Sequence, residues 1–125
     1  MMRMALGTLL LLHGLIHLGW AAPRPEDPSY PFDTTRSRLM PWVPAPVLKH
    51  LGLELPIVTA LAFTAAALGL FGAPWFADVW EIAAIAGAVT SLIACALWWH
   101  PWFVAGPLLD IWIVTAIYYH WPNLG

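Results

Sequence analysis

Charged residues and cysteine are both scarce in this 125-residue chain, and each scarcity excludes a class of protein. Five basic residues and a formal net charge of −2 exclude the basic surface with which proteins hold nucleic acid. The single cysteine, Cys95, excludes an intramolecular disulfide and any Cys-x-x-Cys redox or zinc motif. The sequence also lacks a serine–histidine–acid pattern and a glycine-rich phosphate loop, so hydrolase and nucleotide chemistry are not expected.

Apolar residues dominate what remains, at 61% of the chain. A helix needs about 20 largely apolar residues to cross a hydrocarbon core of about 30 Å. Four stretches approach or reach this length: residues 4–22, 55–72, 79–99 and 102–121. They predict a single all-α domain over residues 1–125, an integral membrane four-helix bundle with four spans. The short connections after the second and third spans predict antiparallel neighbours.

The first connection, residues 23–53, is long and holds seven of the twelve prolines. A long connection inside a compact protein is usually functional or disordered. Its second half, residues 40–53, is apolar and aromatic, which is typical of a segment that lies on a membrane surface or caps a bundle. We therefore expect this half to be ordered, with Trp42 buried towards the bundle or the lipid headgroups.

Aromatic residues cluster at the ends of the four stretches, as in the aromatic belts of membrane proteins. One end carries Trp20, Trp42, Trp98, Trp99 and Trp102, and the other carries Trp75, Phe76, Trp80, Tyr118, Tyr119 and Trp121. Anchoring at the two membrane faces explains most of the nine tryptophans, without a cofactor role.

Two histidines lie one helical turn apart in the first stretch, in the run LLLLHGLIHLGW. A histidine inside a bilayer normally faces a bundle interior, a partner or a pathway. At 1.5 Å per residue, each span places one polar residue at a common level, about 12 to 15 Å below the face that carries the long loop. These residues are His13, Thr64, Ser91 and Asp110. Nearer that face, His17, Thr59 and Cys95 form a second level.

Residues three and four apart give each span one inward-facing stripe. The stripes are Leu10, His13, His17 and Trp20; Thr59, Ala62, Ala66 and Gly69; Glu81, Ala84, Ala88, Ser91 and Cys95; and Phe103, Gly106, Asp110, Ile113, Ile117 and His120. Because His13 and Asp110 share a depth and lie on inward stripes, we expect them to face each other across the bundle. Pro107 is expected to kink the fourth helix just before Asp110.

Several chemistries could use the polar residues at these two levels. His13, His17 and Asp110 are suitable ligands for zinc, iron or copper, although the spacing HxxxH alone is a weak signal. Haem would need a second histidine on a facing helix, and His100 is the nearest candidate. Proton transfer, or binding of a quinone or lipid-like molecule, fits the same residues. The structural alternative is that His13 and Asp110 join two helices, at a gain of about 1 kcal/mol.

The run LHGLIHLGW, followed by three more spans and a Trp-rich third turn, resembles small uncharacterised bacterial four-helix membrane proteins with an HGxIH motif. More loosely, the chain is similar to the DoxX and MauE group of four-span proteins. The resemblance implies a bacterial cytoplasmic membrane and quinone or thiol redox partners. Paired cysteines, which thiol chemistry requires, are absent from this chain.

Two functions follow as expectations. The first is an accessory or structural subunit of a larger membrane assembly, respiratory or photosynthetic, because the chain is small and has almost no extramembrane domain. The alternative is a small membrane redox or ligand-binding protein that uses the His/Asp layer for a metal, quinone or haem. A carrier of protons or small solutes would require oligomerisation. The expected partners are the lipid bilayer and either other membrane subunits or further copies of the chain.

Overall fold

Long apolar stretches without internal turn signals favour helices, and the computed structural model of the protein, which describes residues 1–22 and 33–121, is helical. Helix α1 continues into a short 3₁₀ segment, and another 3₁₀ segment precedes α4. The helices are α1 (Met2–Ile16, then His17–Ala21 as 3₁₀), α2 (Ala45–Leu70), α3 (Trp80–Leu97) and α4 (Ala105–Tyr118, after Pro101–Phe103 as 3₁₀). Each of the four is long and apolar enough to cross a membrane, and no strand occurs in these ranges. The prediction of four apolar helices is confirmed.

Helix α2 begins ten residues earlier than the sequence predicted. It starts at Ala45 after an extended Pro44, with Pro46 in its first turn, where a proline lacks no hydrogen bond because the first helical N–H groups have no intrahelical acceptor. The sequence predicted a start at residue 55, next to Pro56, and this was wrong. Pro56 lies inside α2 and is fully buried.

Helix α4 also differs from its predicted form. It begins at Ala105, so Pro107 stands in its first turn rather than in its interior. The N–H groups of this turn have no intrahelical acceptor in any helix, so proline breaks no bond here. Pro107 therefore gives no reason for the kink that was predicted before Asp110.

The helices pack in chain order, α1 on α2, α2 on α3 and α3 on α4. Contact between α1 and α4 is slight by comparison, and α4 is the least buried of the four. The bundle is therefore less tightly closed along the seam between α1 and α4. This seam positions the site described below.

Phe63 of α2 is fully buried where three helices approach closely. A Cβ atom on Gly14 of α1 would lie 2.8 Å from the Phe63 Cβ, and a Cβ on Gly87 of α3 would lie 2.9 Å from its ring. Real Cβ atoms do not come this close, so both positions require glycine. Small residues at such crossings allow apolar helices to approach each other.

This packing predicts different effects on stability for two Gly→Ala substitutions. We expect Gly14→Ala to lower the free energy of unfolding by about 2 kcal/mol, because the Phe63 Cβ is fixed to the backbone and cannot swing aside. Gly106 of α4 is the matched control, since a Cβ there would meet its nearest side-chain atoms at 3.8 and 3.9 Å. Gly106→Ala should be neutral or stabilise by up to about 1 kcal/mol. Denaturant titration in mixed micelles measures both, and equal losses would contradict the packing.

The connection between α1 and α2 is described from residue 33 onwards, and predictions for residues 23–32 fall outside the described chain. Thr34 is buried over Gly52, whose added Cβ would lie 2.8 Å from the Thr34 hydroxyl oxygen. Thr34 of the connection thus covers the N-terminal part of α2, whereas the expectation concerned residues 40–53. Trp42, however, is 74% exposed, so it does not turn towards the bundle, and its burial among lipid headgroups stays a prediction.

Two of the tryptophans assigned to surface anchoring lie inside the protein instead. Trp20 and Trp98 are 7% and 4% exposed and share an apolar cluster with Ala94, Cys95 and Leu97. Trp75 and Trp102 are exposed as predicted, at 89% and 77%. The burial of Trp20 follows from its place on the inward stripe of α1, three residues after His17.

Candidate functional site

Three helices contribute four buried polar side chains to one place in the bundle. Their exposed fractions are 7% for His13, 4% for His17, and 0% for Ser91 and Asp110. His13 and His17 lie on the same face of α1 because they are one turn apart, and small residues on α3 let Ser91 approach. The predicted inward stripes thus carry these four residues into the interior.

Hydrogen bonds connect the four side chains in a row, which we call the polar network (His13, Asp110, Ser91 and His17). His13 Nε2 lies 2.7 Å from Asp110 Oδ1. The other carboxyl oxygen, Oδ2, lies 2.5 Å from Ser91 Oγ, and Ser91 Oγ lies 2.8 Å from His17 Nε2. The predicted contact between His13 and Asp110 is therefore present, and Ser91 joins it as the depth match indicated.

The far end of the polar network is fixed by the backbone of α1. Where the helix tightens into its 3₁₀ segment, the His17 N–H bonds to the carbonyl oxygen of Gly14. The carbonyl oxygen of His13 instead lies 2.9 Å from His17 Nδ1. Because a carbonyl oxygen only accepts hydrogen bonds, His17 Nδ1 carries a proton and donates it.

Proton positions along the polar network follow from counting donors and acceptors. Ser91 has one hydroxyl hydrogen, so it donates either to Asp110 or to His17. In the first case Asp110 is a carboxylate and His17 is protonated on both nitrogens. In the second, Asp110 carries a proton on Oδ2 and donates it to Ser91, which donates to a neutral His17.

These two are the only proton arrangements that satisfy all four hydrogen bonds with no net charge. A net charge in such a buried place would be strongly unfavourable. In both arrangements His13 is neutral and donates from Nε2 to Asp110. The two differ by a short shift of two protons through the Ser91 hydroxyl, so the geometry suits movement of a proton between Asp110 and His17.

Thr64, the fourth residue of the predicted layer, does not reach the polar network. Its hydroxyl donates to the carbonyl oxygen of Ala60 in the same helix, at 2.7 Å. Helix α2 contributes Phe63 at this level instead, with its ring centroid 5.0 Å from that of His13. The expectation of one polar side chain from every helix was wrong for α2.

Removing the side-chain hydroxyl group should affect stability strongly at Ser91 and weakly at Thr64. We expect Ser91→Ala to lower the free energy of unfolding by about 2 kcal/mol, because it leaves buried groups of Asp110 and His17 without partners. Thr64→Val keeps the shape of the side chain and should change stability by less than about 0.5 kcal/mol. Both variants can be measured by denaturant titration in the same micelles, and a loss for Thr64→Val as large as that for Ser91→Ala would refute the assignment.

The hydrogen bonds of the histidines do not favour the predicted metal or haem site. His13 Nε2 faces Asp110, and both His17 nitrogens are engaged by Ser91 and the His13 carbonyl. Among the described residues, no group of three or more histidine, cysteine or acidic side chains is arranged to hold a metal ion. His100, the candidate second haem ligand, accepts a hydrogen bond from the Trp102 N–H at 3.2 Å. The arrangement instead suits hydrogen bonding and proton transfer.

A half-open cavity of about 300 Å³ lies beside the polar network along the α1–α4 seam. His13 and His17 form part of its wall, and the rest is mainly apolar and aromatic. The lining comprises Leu9, Leu12, His13, Ile16, His17, Trp20, Cys95, Trp102, Phe103, Ala105, Gly106 and Leu109. Nδ1 of His13 forms no hydrogen bond with any described residue, and in a neutral ring that donates from Nε2 it is an acceptor.

Sequence reasoning missed the aromatic part of this wall. Trp20 packs edge-on against His17 and against Phe103, with ring centroids 5.3 and 5.0 Å apart. Both residues were placed on inward stripes, but the stripes alone do not show that a space remains between α1 and α4. The weak pairing of those two helices, which creates the cavity, has no signal in the sequence.

Comparison with protein-family models, with curated proteins and with solved structures finds no match for the chain. The polar network and the cavity are therefore the features that bear on function, and the resemblance to HGxIH and DoxX/MauE-type proteins stays a prediction.

Proposed function

We propose that this chain is a multi-pass membrane protein that binds a small quinol-like or phenol-like molecule in the cavity between α1 and α4. The observation that carries the proposal is His13, which lines an apolar cavity and is joined at its other nitrogen to a carboxyl group. A hydroxyl group of the ligand would donate a hydrogen bond to His13 Nδ1, while His13 Nε2 stays bonded to Asp110.

Four helices of sufficient length and apolar character support insertion in a membrane. At 1.5 Å per residue, the 26 residues of α2 extend about 39 Å, which is more than the hydrocarbon core of about 30 Å. The start of α2 would therefore project into the headgroup layer with the connecting segment. The resemblance of the HGxIH run supports a bacterial cytoplasmic membrane.

The cavity wall supports the class of ligand. A volume of about 300 Å³ is at the lower end of small-molecule pockets, so it suits a single ring with short substituents. Trp20 and Phe103 offer aromatic faces and edges for such a ring. The open side between α1 and α4 would allow an apolar tail to extend into lipid, and it would let the ligand enter from the bilayer.

Proton exchange with the ligand follows from the charges of the polar network. If the ligand hydroxyl transfers its proton to His13 Nδ1, the oxyanion left on the ligand balances the new imidazolium, so the site as a whole gains no net charge. Ser91 and His17 allow the carboxylate and acid forms of Asp110 to interchange without net charge. The site therefore favours a ligand with an acidic hydroxyl over one with only ether oxygens.

Binding of a short-chain hydroquinone to the purified protein tests this function. Quenching of tryptophan fluorescence should be saturable, because Trp20 and Trp102 line the cavity. The dimethyl ether of the same compound, which cannot donate, should bind at least about tenfold more weakly. His13→Gln should weaken hydroquinone binding to a similar extent, whereas His120→Gln, at the opposite end of the bundle, should leave it unchanged.

Equal binding of the hydroquinone and its dimethyl ether would contradict a hydrogen bond to His13. Equal effects of His13→Gln and His120→Gln on binding would contradict a ligand site beside His13. Far-ultraviolet circular dichroism of both variants shows that any loss of binding is not a loss of helices.

A subunit role is the second candidate, and one observation favours it. Helix α4 packs mainly on α3 and leaves apolar side chains such as Leu108 and Ile111 exposed, at 64% and 55%. Lipid or a helix of another subunit could cover that face. The native mass of the gently solubilised protein distinguishes the two: co-purified larger subunits would support an accessory role, and a single chain would not.

A further inference from the structure

A second hollow lies at the end of the bundle where α3 meets the connection from α1. It has a volume of about 410 Å³ and is separate from the ligand cavity. Its lining comes from two short stretches and comprises Asp33, Arg36, Ser37, Arg38, Leu97, Trp98, Trp99 and His100. We propose that this hollow binds the phosphate-bearing headgroup of an anionic phospholipid.

Two guanidinium groups give the hollow its charge. Arg36 and Arg38 are both exposed, and neither forms an ion pair with any residue of the described chain. Asp33 is the acidic group of the lining, and its Oδ1 accepts hydrogen bonds from the Thr35 N–H at 3.0 Å and hydroxyl at 2.7 Å. Arginine presents a planar fork of donors that matches the oxygens of a phosphate. The two arginines are therefore suited to hold one phosphate group between them.

The buried indole N–H of Trp98 also favours a ligand with acceptor oxygens. Trp98 is 4% exposed, and its indole N–H is buried without a hydrogen-bond partner in the ranges that the structure describes. A buried donor without an acceptor is unfavourable. Ligands that supply acceptor oxygens, as a headgroup does, are therefore favoured over cations or purely apolar molecules.

The apolar side of the hollow favours a lipid over a free anion. Leu97 and Trp99 belong to its lining at the end of α3, and Trp99 is 45% exposed. Tryptophan side chains prefer the headgroup level of a membrane, and basic pockets at this level bind anionic lipids. A headgroup between the arginines would leave its acyl chains beside the apolar helices.

Native mass spectrometry of the full-length, detergent-purified protein tests the proposal with phosphatidylglycerol as the probe. We expect a one-to-one adduct with phosphatidylglycerol and much less with phosphatidylcholine. The double variant Arg36→Gln/Arg38→Gln should bind phosphatidylglycerol about thirtyfold more weakly. Arg3→Gln is the matched control, because it removes the same charge at the other end of the bundle, and it should retain wild-type binding.

Four results would overturn the proposal. Equal adducts with phosphatidylcholine would show that charge does not matter, and an equal loss in Arg3→Gln would show that the site is elsewhere. Displacement of phosphatidylglycerol by millimolar inorganic phosphate would assign the hollow to a free anion. The variant Arg36→Lys/Arg38→Lys keeps both charges but loses the planar forks, so it should bind phosphatidylglycerol more weakly than wild type and more strongly than the glutamine variant; binding no stronger than that of the glutamine variant would also contradict a headgroup held by charge.

Discussion

Replacing Asp110 with alanine is expected to lower the free energy of unfolding by about 3 kcal/mol, the largest loss of any polar substitution in this protein. Asp110 is fully buried and hydrogen-bonded to both His13 and Ser91. The alanine variant removes both hydrogen bonds, leaves His13 Nε2 and the Ser91 hydroxyl without this partner and creates a small void. Asp110→Asn keeps the shape and one acceptor oxygen, so we expect a loss of about 1 kcal/mol.

Asp78→Ala is the matched control for this substitution, because Asp78 is exposed and its removal should change stability by less than about 0.5 kcal/mol. All three variants can be compared by denaturant titration in mixed micelles, with circular dichroism as the probe. Equal stabilities of the Asp110→Ala and Asp78→Ala variants would show that the polar network does not hold the helices together.

Filling the cavity should abolish ligand binding while leaving the fold intact. Gly106 lies in the cavity wall, and the nearest atoms to an added Cβ are the Cys95 sulfur at 3.8 Å and His13 Cε1 at 3.9 Å. A phenylalanine side chain at this position would occupy the space of a ring-shaped ligand. We expect Gly106→Phe to weaken hydroquinone binding at least a hundredfold, which is about 2.7 kcal/mol.

The Gly106→Ala variant is the control, because it also replaces a flexible glycine but does not fill the cavity. The alanine variant should bind hydroquinone within about threefold of wild type, since a methyl group takes little of the volume. Titration of tryptophan fluorescence measures both variants, and denaturant titration confirms that both are folded. Wild-type binding by Gly106→Phe would place the ligand elsewhere.

The location of the polar network could be predicted from the sequence more fully than its hydrogen bonds. His13, Ser91 and Asp110 could be matched because depth along a helix follows from residue number alone. Their burial could be predicted because each lies on a stripe with small or apolar neighbours. Thr64 fits the same depth, but its hydroxyl bonds to its own helix, and periodicity does not distinguish that bond from one to a neighbouring helix.

Features that depend on how helices meet were not predictable. The bond between His17 Nδ1 and the His13 carbonyl requires the change from α to 3₁₀ geometry at His17, which no residue there signals. The early start of α2 was missed because Pro56, inside the helix, was taken as a boundary, whereas Pro46 in the first turn is the typical start signal. The α1–α4 gap depends on interhelical angles, which the pattern of apolar residues leaves open.

The most direct test of the account is magnetic resonance of isotope-labelled histidine ring nitrogens in lipid bilayers, with and without added hydroquinone. Without ligand, we predict protons on His13 Nε2 and His17 Nδ1 and an unprotonated His13 Nδ1. On saturation, the His13 Nδ1 signal should change more than any other ring nitrogen, because the ligand hydroxyl donates to it. Hydroquinone binding that leaves His13 Nδ1 unchanged, or an unprotonated His17 Nδ1 in the free protein, would contradict the account.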